Sequence, residues 1–317
     1  MKIAPVKGNE NDILQSEGGH TMASKVSIAH NPDIAKSVPQ ALDMLGDLSE
    51  LFKGKHVAIK PNDTWVSPDD TTACTQADTV QAAIRYVKQF SPRVITITGG
   101  SGDGQTDEVF RILGIDRIIR EERVAFFDHN RPPFESVRLD SGPQEEVMVN
   151  PHIFSYDTLV SLSQHKVHKH ATVTLTMKNI GMSYPAADYY GHPRSRGLNP
   201  HNFFDDLHGF IAAMCKRFPP QLGIITGHPA MTDTGPIGGY TFESDLVVAG
   251  TDFVATDTIG AWLLGKEHVA HIEQAAHLVL GTADMKQIEI AGMPLDDALQ
   301  IMTEKISAPD VADIQGK

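Results

Sequence analysis

The sequence has only two cysteines in 317 residues, Cys74 and Cys215, and neither belongs to a Cys-x-x-Cys pair. Structural zinc sites and iron–sulfur clusters usually take several cysteine ligands from one chain. The sequence therefore predicts no iron–sulfur cluster that is ligated by the cysteines of this chain alone. Because reducing compartments keep thiols free, we interpret Cys74 and Cys215 as two separate buried thiols rather than as a disulfide.

Long apolar runs and an excess of positive charge are also absent. No stretch approaches the roughly 18 apolar residues of a membrane-spanning helix, and the first 25 residues lack the apolar core of a signal peptide. The chain carries 27 Lys and Arg against 40 Asp and Glu, a net charge of −13. Nucleic acids and anionic membranes bind basic surfaces, so the composition argues against both partners. We expect a cytoplasmic protein, for which a homo-oligomer is compatible with the composition.

The order of apolar patterns predicts the fold class. Residues 1–23 show no apolar periodicity, so we expect a disordered extension there, and both Met1 and Met22 are candidate starts of the natural chain. After it, β-rich apolar runs alternate with amphipathic patterns at helical spacing. This alternation predicts one α/β domain over 24–317, with a mostly parallel sheet and helices on both faces. Polar alternating segments near 131–155 predict a small inserted β subregion.

Four predicted strands are followed by unusual polar segments. These segments are KPNDTW, GGSGDG, HKVHKH and GHPAMTDTGPIGG. Ligands of open parallel sheets bind beyond the carboxyl ends of the strands. We therefore expect the four segments to share one cleft that brings together Asn62, Gly100, His168 and Gly235.

The segment at 165–170 contains three histidines and two lysines in six positions. If it continues an extended strand, Lys166, His168 and His170 share one face. His168 and His170 could then bind a divalent metal, with further ligands from other loops, such as Asp233 or His228. A metal-free anion pocket and a solvated polar loop are the two alternatives.

Local charge favours a pocket for a small anion. Between residues 165 and 196 there are five Lys or Arg and one Asp, and such a basic segment in an acidic chain concentrates small anions. The pattern TVTLTMKNIG predicts a helix whose N-terminal amides would face the anion, with Thr172 or Thr174 as its N-cap. Lys178 lies one turn after Thr174 on the same face. We interpret Lys178 as a functional cation rather than as a surface lysine.

Two glycine-rich segments are further candidates. GGSGDG, which contains Gly100 and Gly102, is either a tight turn or a phosphate-binding loop, and it lacks the GxGxxG and GK[ST] signatures. The segment around Gly235 is a Gly/Pro turn cluster, in which Asp233 is a candidate ligand or base. In TDFVATD, Asp252 is expected to cap a helix.

Four stretches, taken in order, resemble the family catalogued as domain of unknown function 362. They are VAIKPND, VITITGGSGDGQTDEVFRILG, HKVHKHATVTLTMKNIG and GPIGGYTFESDLVVAGTDFVATDTIGAWLLG, and the resemblance spans roughly residues 25–265. The motif positions of the family fall on Lys60, Pro61, Asn62, Lys166, His168, Thr174, Lys178, Asn179 and Gly181. The resemblance implies an α/β fold and a site, but no particular reaction.

The chain also departs from the family pattern. Ser163 and Gln164 stand where a Pro-Lys pair often precedes the Lys-x-His motif, and Thr226 replaces the Asp of a common Asp-Gly pair. The ferredoxin-type cysteines of many members are missing here. A redox role is therefore not carried over to this chain.

Together these patterns predict an enzyme that acts on a small anionic substrate, a carboxylate or a phosphate, with metal assistance as one version of the hypothesis. The predicted substrate-binding residues are Lys60, Asn62, Gly100, Gly102, Lys166, Asn179 and Gly235. The predicted catalytic residues are His168, Lys178 and Asp233, and the candidate metal ligands are His168 and His170. The alternative is a non-catalytic module that binds or carries a small anion or a metal.

Overall fold

A computed structural model of the chain describes residues 23–192 and 206–307. The predictions for residues 1–22 and the basic residues Arg194 and Arg196 lie outside these ranges. The strands are β1 (Ser24–His30), β2 (His56–Pro61), β3 (Val94–Gly99), β4 (Ala125–Asp128), β5 (Glu135–Arg138), β6 (Glu146–Val149), β7 (Thr158–His168), β8 (Thr172–Thr174), β9 (Leu222–Thr232), β10 (Tyr240–Phe242), β11 (Leu246–Gly250) and β12 (Ile288–Gly292).

The main sheet has the strand order β12–β1–β11–β9–β7–β2–β3–β4, and β10 and β8 pair with β9 and β7. Four consecutive pairs in this order are parallel: β9 with β7, β7 with β2, β2 with β3, and β3 with β4. β1 and β12 are also parallel to each other. β11 is antiparallel to both β1 and β9. The predicted mostly parallel sheet is therefore confirmed. Its inner strands are rich in Val, Ile and Leu, as expected when helices cover both faces.

Helices cover the sheet on both sides. They are α1 (Ile34–Asp43), α2 (Ser49–Phe52), α3 (Ala77–Lys88), α4 (Thr106–Leu113), α5 (Ile115–Glu121), α6 (Thr176–Gly181), α7 (Ala187–Tyr190), α8 (Leu207–Arg217), α9 (Phe253–Leu263), α10 (Ala270–His277) and α11 (Leu295–Ser307). Within 23–192 and 206–307, none of them has the length and apolar character needed to span a bilayer.

The alternation of side chains along β2 shows how the two faces are divided. Successive side chains of a strand point to opposite faces. Val57 and Ile59 belong to a core with α1, α3, α4 and α5, while Ala58 packs with residues of α6 and α8. Lys60 follows Ala58 by two positions, so its side chain emerges on the α6 side of the sheet.

The predicted β subregion is a two-stranded hairpin. β5 and β6 pair in antiparallel fashion, from Glu135 opposite Val149 to Arg138 opposite Glu146. Val137, Val147 and Val149 are buried in the same core as α6 and α8. The hairpin therefore has one apolar face on the domain, which confirms the insertion. The assignment of 24–317 to one domain stays a prediction.

Two central strands are longer than the sequence indicated. β7 continues to His168, so His165 and Lys166 lie inside the strand rather than in a loop after it. β9 likewise continues to Thr232. The solvated polar loop, one alternative for residues 165–170, is therefore wrong for His165 to His168, because neighbouring strands pair with this segment; β8, for example, places Thr174 opposite Lys166. Tertiary pairing satisfies the backbone of residues whose composition suggested a loop.

The N-terminus of α6 is occupied by a carboxylate of the chain itself. The amides of Thr176 and Met177 donate to the two carboxylate oxygens of Asp257, each at 2.8 Å. Asp257 is fully buried on α9. The predictions that Thr172 or Thr174 caps this helix, and that its amides face an anion, are therefore wrong. The donors that an anion would need are already used.

Asp252 caps α9 as the sequence predicts. Its Oδ1 accepts from the amides of Val254 and Ala255, both at 3.0 Å. The carboxylate also accepts from Oγ of Ser24 at 2.6 Å and from the Thr282 amide at 3.0 Å. The cap thus also ties the start of β1 to the segment before β12.

The buried cap of α6 predicts a pH dependence of stability. Burial raises the pKa of Asp257 from 3.8 to about 7. Between about pH 4 and 7, the Asp257 carboxyl group therefore keeps its proton in the folded state but has lost it in the unfolded chain. The stability that comes from this proton is fully present below about pH 4 and is lost as the pH rises through about 7.

We expect Asp257→Asn to remove this dependence. Relative to the variant, the free energy of unfolding of the wild type should fall between pH 4 and 7, by at most about 4 kcal/mol. Urea unfolding of both proteins at several pH values in this range measures the effect. Stability curves that run parallel would contradict the assignment.

Candidate functional site

A small cavity lies at the carboxyl ends of β2 and β3, beside α6. Its volume is about 70 Å³, which is room for roughly five to seven water molecules if each needs about 10–15 Å³. The residues that line it are Lys60, Asn62, Asp63, Thr64, Gly100, Gly102, Lys178, Asn179, Met182 and Ser183. This edge of a parallel sheet is where ligands of such folds usually bind.

Lys60 and Asp63 form a buried ion pair at this cavity. Nζ of Lys60 lies 2.5 Å from Oδ1 of Asp63, and both side chains are 2% exposed. Nζ also donates to Oδ1 of Asn179 at 3.1 Å. Oδ2 of Asp63 accepts from the Gly100 amide at 2.9 Å. Buried charges are tolerated when they are paired and hydrogen-bonded, and these contacts meet that requirement.

The amides of Asn179 and Asn62 extend the network. Nδ2 of Asn179 donates to the Lys60 carbonyl and to Oγ of Ser161, both at 3.0 Å. Its Oδ1 therefore faces Nζ of Lys60 and Nδ2 of Asn62, the latter at 3.4 Å. Oδ1 of Asn62 is left buried with no hydrogen-bond partner among the described residues. Such an acceptor costs about 1–3 kcal/mol.

The glycine-rich segment after β3 packs closely against these side chains. The amides of Gly100 and Ser101 donate to Asp63 and to Oγ1 of Thr106, at 2.9 and 3.3 Å. The Gly100 carbonyl accepts from Oγ of Ser183 at 3.2 Å. A Cβ atom at Gly100 would lie 2.5 Å from the Ser183 carbonyl oxygen, so a side chain has no room there. These contacts favour the tight turn over the phosphate-binding loop.

Lys178 borders the cavity from α6 and is only 6% exposed. Besides the Asp257 cap, α6 is tied to β7 by Oγ of Ser161, which donates to the Thr176 carbonyl at 3.0 Å. The burial of Lys178 does not fit a solvated surface lysine. The described charged side chains that line the cavity are thus Lys60, Lys178 and Asp63, two positive and one negative.

The structure brings together some of the residues predicted from the sequence and separates others. Those that line the cavity are Lys60, Asn62, Gly100, Gly102, Lys178 and Asn179. Those that do not line it are Lys166, His168, His170, Asp233 and Gly235. The segments after β2 and β3 therefore converge as expected, whereas those after β7 and β9 do not reach this cavity.

Lys166 faces the other side of the sheet from Lys60. Its Nζ donates to the carbonyl of Ala73, in the segment that leads into α3. The side chain is fully buried, and burial lowers the pKa of Lys166 to about 8. Its contacts therefore lie with the α3 segment rather than with the candidate site.

His168 and His170 belong to the turn between β7 and β8. Nδ1 of His168 accepts from two backbone amides of this turn, both at 3.1 Å. Close by, the Gly235 carbonyl accepts from the Lys169 amide at 2.8 Å, while Asp233 is exposed and has a φ of +68°. In the described part of the chain, no group of three or more His, Cys, Asp or Glu side chains could hold a metal ion. The metal hypothesis stays a prediction.

A larger cavity of about 660 Å³ lies near the start of α3. His228 there contacts Asp78 at 3.0 Å and Glu243 at 2.8 Å, one through each ring nitrogen. Hydrogen bonds to these two carboxylates raise the pKa of His228 to about 10. With Arg117, which also lines this cavity, two positive and two negative groups balance there. The smaller cavity is therefore the better candidate for binding an anion.

Sequence reasoning missed Asp63, Thr64, Met182 and Ser183 as lining residues. Asp63 matters most because it neutralises Lys60. A signal for it was present, since in KPND an acid follows the strand-end lysine by three positions. Met182 and Ser183 had no local signal because the packing of α6 against the β3 turn brings them to the cavity.

We expect Asp63→Asn to lower the free energy of unfolding by about 3–5 kcal/mol, because it leaves the Lys60 ammonium buried without a counter-charge. The double variant Lys60→Met, Asp63→Asn removes both charges and should recover part of this loss. Urea unfolding of both variants and the wild type at pH 7 measures the difference. A double variant no more stable than Asp63→Asn would show that the two groups are not coupled.

One comparison with known proteins, the family match, agrees with the sequence resemblance. No curated protein sequence matches the chain. The lactate racemase apoprotein of Thermoanaerobacterium thermosaccharolyticum has a TM-score of 0.45 and 12% identity, over 80% of this chain and 57% of that one. A Thermotoga maritima protein has a TM-score of 0.38 and 13% identity, over 77% of this chain and 57% of that one, so this chain spans little more than half of either. A family model described as Domain of unknown function (DUF362) matches residues 57–262, and the chain belongs to this family.

Proposed function

We propose that the chain is an enzyme that acts on a small anionic substrate, a carboxylate or a phosphate, in the cavity beside Lys60 and Lys178. The burial of two lysines around a space of a few atoms carries this proposal. An ammonium group loses favourable hydration when it is buried. A bound anion would offset that loss.

The contacts of each side chain suggest its role. Asp63 and Asn179 hold the Lys60 ammonium in one orientation, which makes them positioning residues. Lys60, Asn62 and Asn179 would bind the anion. Lys178 is the proposed catalytic group, because a fixed ammonium stabilises negative charge that develops on a bound substrate, and does so more strongly away from water.

His168 and Asp233 are not used in this proposal. Neither lines the cavity, and Nδ1 of His168 is engaged by the β7–β8 turn. Their roles as acid, base or ligand stay predictions, as does metal assistance through His168 and His170. Elemental analysis of protein purified without an affinity tag tests the metal version directly.

The alternative is a non-catalytic binding or carrier module. The mutual hydrogen bonds of Lys60, Asp63 and Asn179 favour it, because a network in which each group has a fixed partner suits binding without proton transfer. Saturable binding of an anion without any conversion would support this alternative. Conversion of a bound carboxylate or phosphate ester would support the enzyme.

Lys178→Met tests the site, since it keeps the side-chain length and removes the charge. We expect binding of acetate and of inorganic phosphate to weaken by at least about tenfold, as for loss of a hydrogen bond to a charged group. The melting temperature should stay the same or rise slightly, because a buried charge is removed. Proton and phosphorus NMR titrations measure the two affinities.

Lys169→Met is the matched control, because Lys169 is exposed and does not line the cavity. It should bind both anions as the wild type does. Turnover is sought by incubating each protein with two- to four-carbon carboxylates and with phosphate esters. Unchanged affinity and turnover in Lys178→Met would exclude the proposed role of Lys178.

A further inference from the structure

The buried acceptor of Asn62 restricts which anion suits the cavity. Asn62 lines the cavity and is 5% exposed. Its Oδ1 has no hydrogen-bond partner in the described part of the chain. A ligand made only of acceptors can pair with the ammonium groups of Lys60 and Lys178 but offers nothing to this oxygen. A ligand that also carries a donor can satisfy it.

The orientation of the Asn62 amide follows from its neighbours. Oγ of Ser161 donates to the Thr176 carbonyl, so it can only accept from Asn179. The Lys60 carbonyl likewise needs a donor, and both are served by Nδ2 of Asn179. Oδ1 of Asn179 therefore faces the Lys60 ammonium and Asn62.

Reversing the Asn62 amide would bring two acceptor oxygens together, because its Oδ1 would then face Oδ1 of Asn179. Reversing both amides would place Nδ2 of Asn179 against the Lys60 ammonium, which has only donors. The ammonium thus sets the orientation of both side chains. Because these contacts turn Nδ2 of Asn62 toward Asn179, Oδ1 of Asn62 is the atom left without a hydrogen-bond partner among the described residues.

Charge and size restrict the ligand further. The described charged groups that line the cavity are two lysines and one aspartate, a set that favours an anion over a cation. The volume of about 70 Å³ corresponds to roughly five to seven water-sized groups. A carboxylate takes three of these places, which leaves room for the adjacent carbon and a donor group on it.

We infer that the cavity takes a small monocarboxylate with an O–H or N–H donor on the carbon next to the carboxylate. This inference rests on the proposed function, since it takes the cavity to be the anion site. The carboxylate pairs with Lys60 and Lys178, and the donor group satisfies Oδ1 of Asn62.

Glycolate and propanoate are the decisive pair of probes. Each has five non-hydrogen atoms and one negative charge at pH 7, and they differ only in a hydroxyl against a methyl group. We expect the wild type to bind glycolate at least about tenfold more tightly, because only glycolate satisfies the buried acceptor. Acetate and inorganic phosphate, titrated in the same way by NMR, complete the set.

Asn62→Leu tests the residue, since it removes the acceptor and keeps the number and branching of the side-chain heavy atoms. The ratio of glycolate to propanoate affinity should fall toward one in this variant. The ratio is informative even if both affinities change, because loss of Nδ2 affects both probes alike. If the variant does not fold, as judged by its melting curve, the wild-type ratio decides alone.

The outcomes separate this inference from the proposed function. Equal binding of glycolate and propanoate by the wild type, or a preference that Asn62→Leu retains, overturns the inference and leaves the anion site in place. Tighter binding of inorganic phosphate than of glycolate overturns the carboxylate class. Absence of binding of all four probes overturns both the inference and the proposed function.

Discussion

Lys60 and Asp63 lie at the carboxyl end of β2, almost fully withdrawn from water and 2.5 Å apart. Neither charge is tolerated in a protein interior without the other, and the pair needs further hydrogen bonds to offset its lost hydration. The Lys60 ammonium donates to Oδ1 of Asn179 on α6, and the Asp63 carboxylate accepts from the Gly100 amide in the turn after β3. The burial of this one ion pair therefore requires α6 and the β3 turn to lie against the end of β2. The cavity proposed as an anion site is the space left between these three segments.

Successive side chains of a strand alternate between the two faces of the sheet, and this explains why Lys60 lies at the cavity whereas Lys166 and His168 do not. Lys60 pairs in register with Ser161 of β7, and both face α6. Lys166 lies five positions beyond Ser161, an odd number, so it points to the α3 side. His168 follows on the face of Lys166 and ends in the β7–β8 turn. The motif from Lys166 to Gly181 is continuous in the sequence, but its residues lie on both faces of the sheet. Lys166 is on the α3 side, and Lys178 is on the α6 side.

A contact between distant residues also decided what α6 can do. Its first amides are bonded to Asp257, 81 residues beyond Thr176. A helix start with no acid nearby in the sequence suggested a site for an anion. In the folded protein the carboxyl group of Asp257 has that place. The proposed anion site lies instead at the flank of the helix, where Lys178 and Asn179 border the cavity.

The sequence alone determined the elements that depend on local patterns. The alternation of apolar runs with amphipathic patterns predicted the mostly parallel sheet, and the cap at Asp252 followed from residue type and position. Six residues that line the cavity could be named from the sequence, because residues at strand ends and in motifs can be recognised locally: Lys60, Asn62, Gly100, Gly102, Lys178 and Asn179. Only the tertiary structure decided that β7 runs on to His168, that Asp257 caps α6, and that Asp63 and Ser183 complete the cavity. Local sequence patterns indicate whether a segment is buried and whether it is a strand or a helix. The partners of a buried charge or of an unpaired backbone amide depend instead on packing between segments that are distant in the chain.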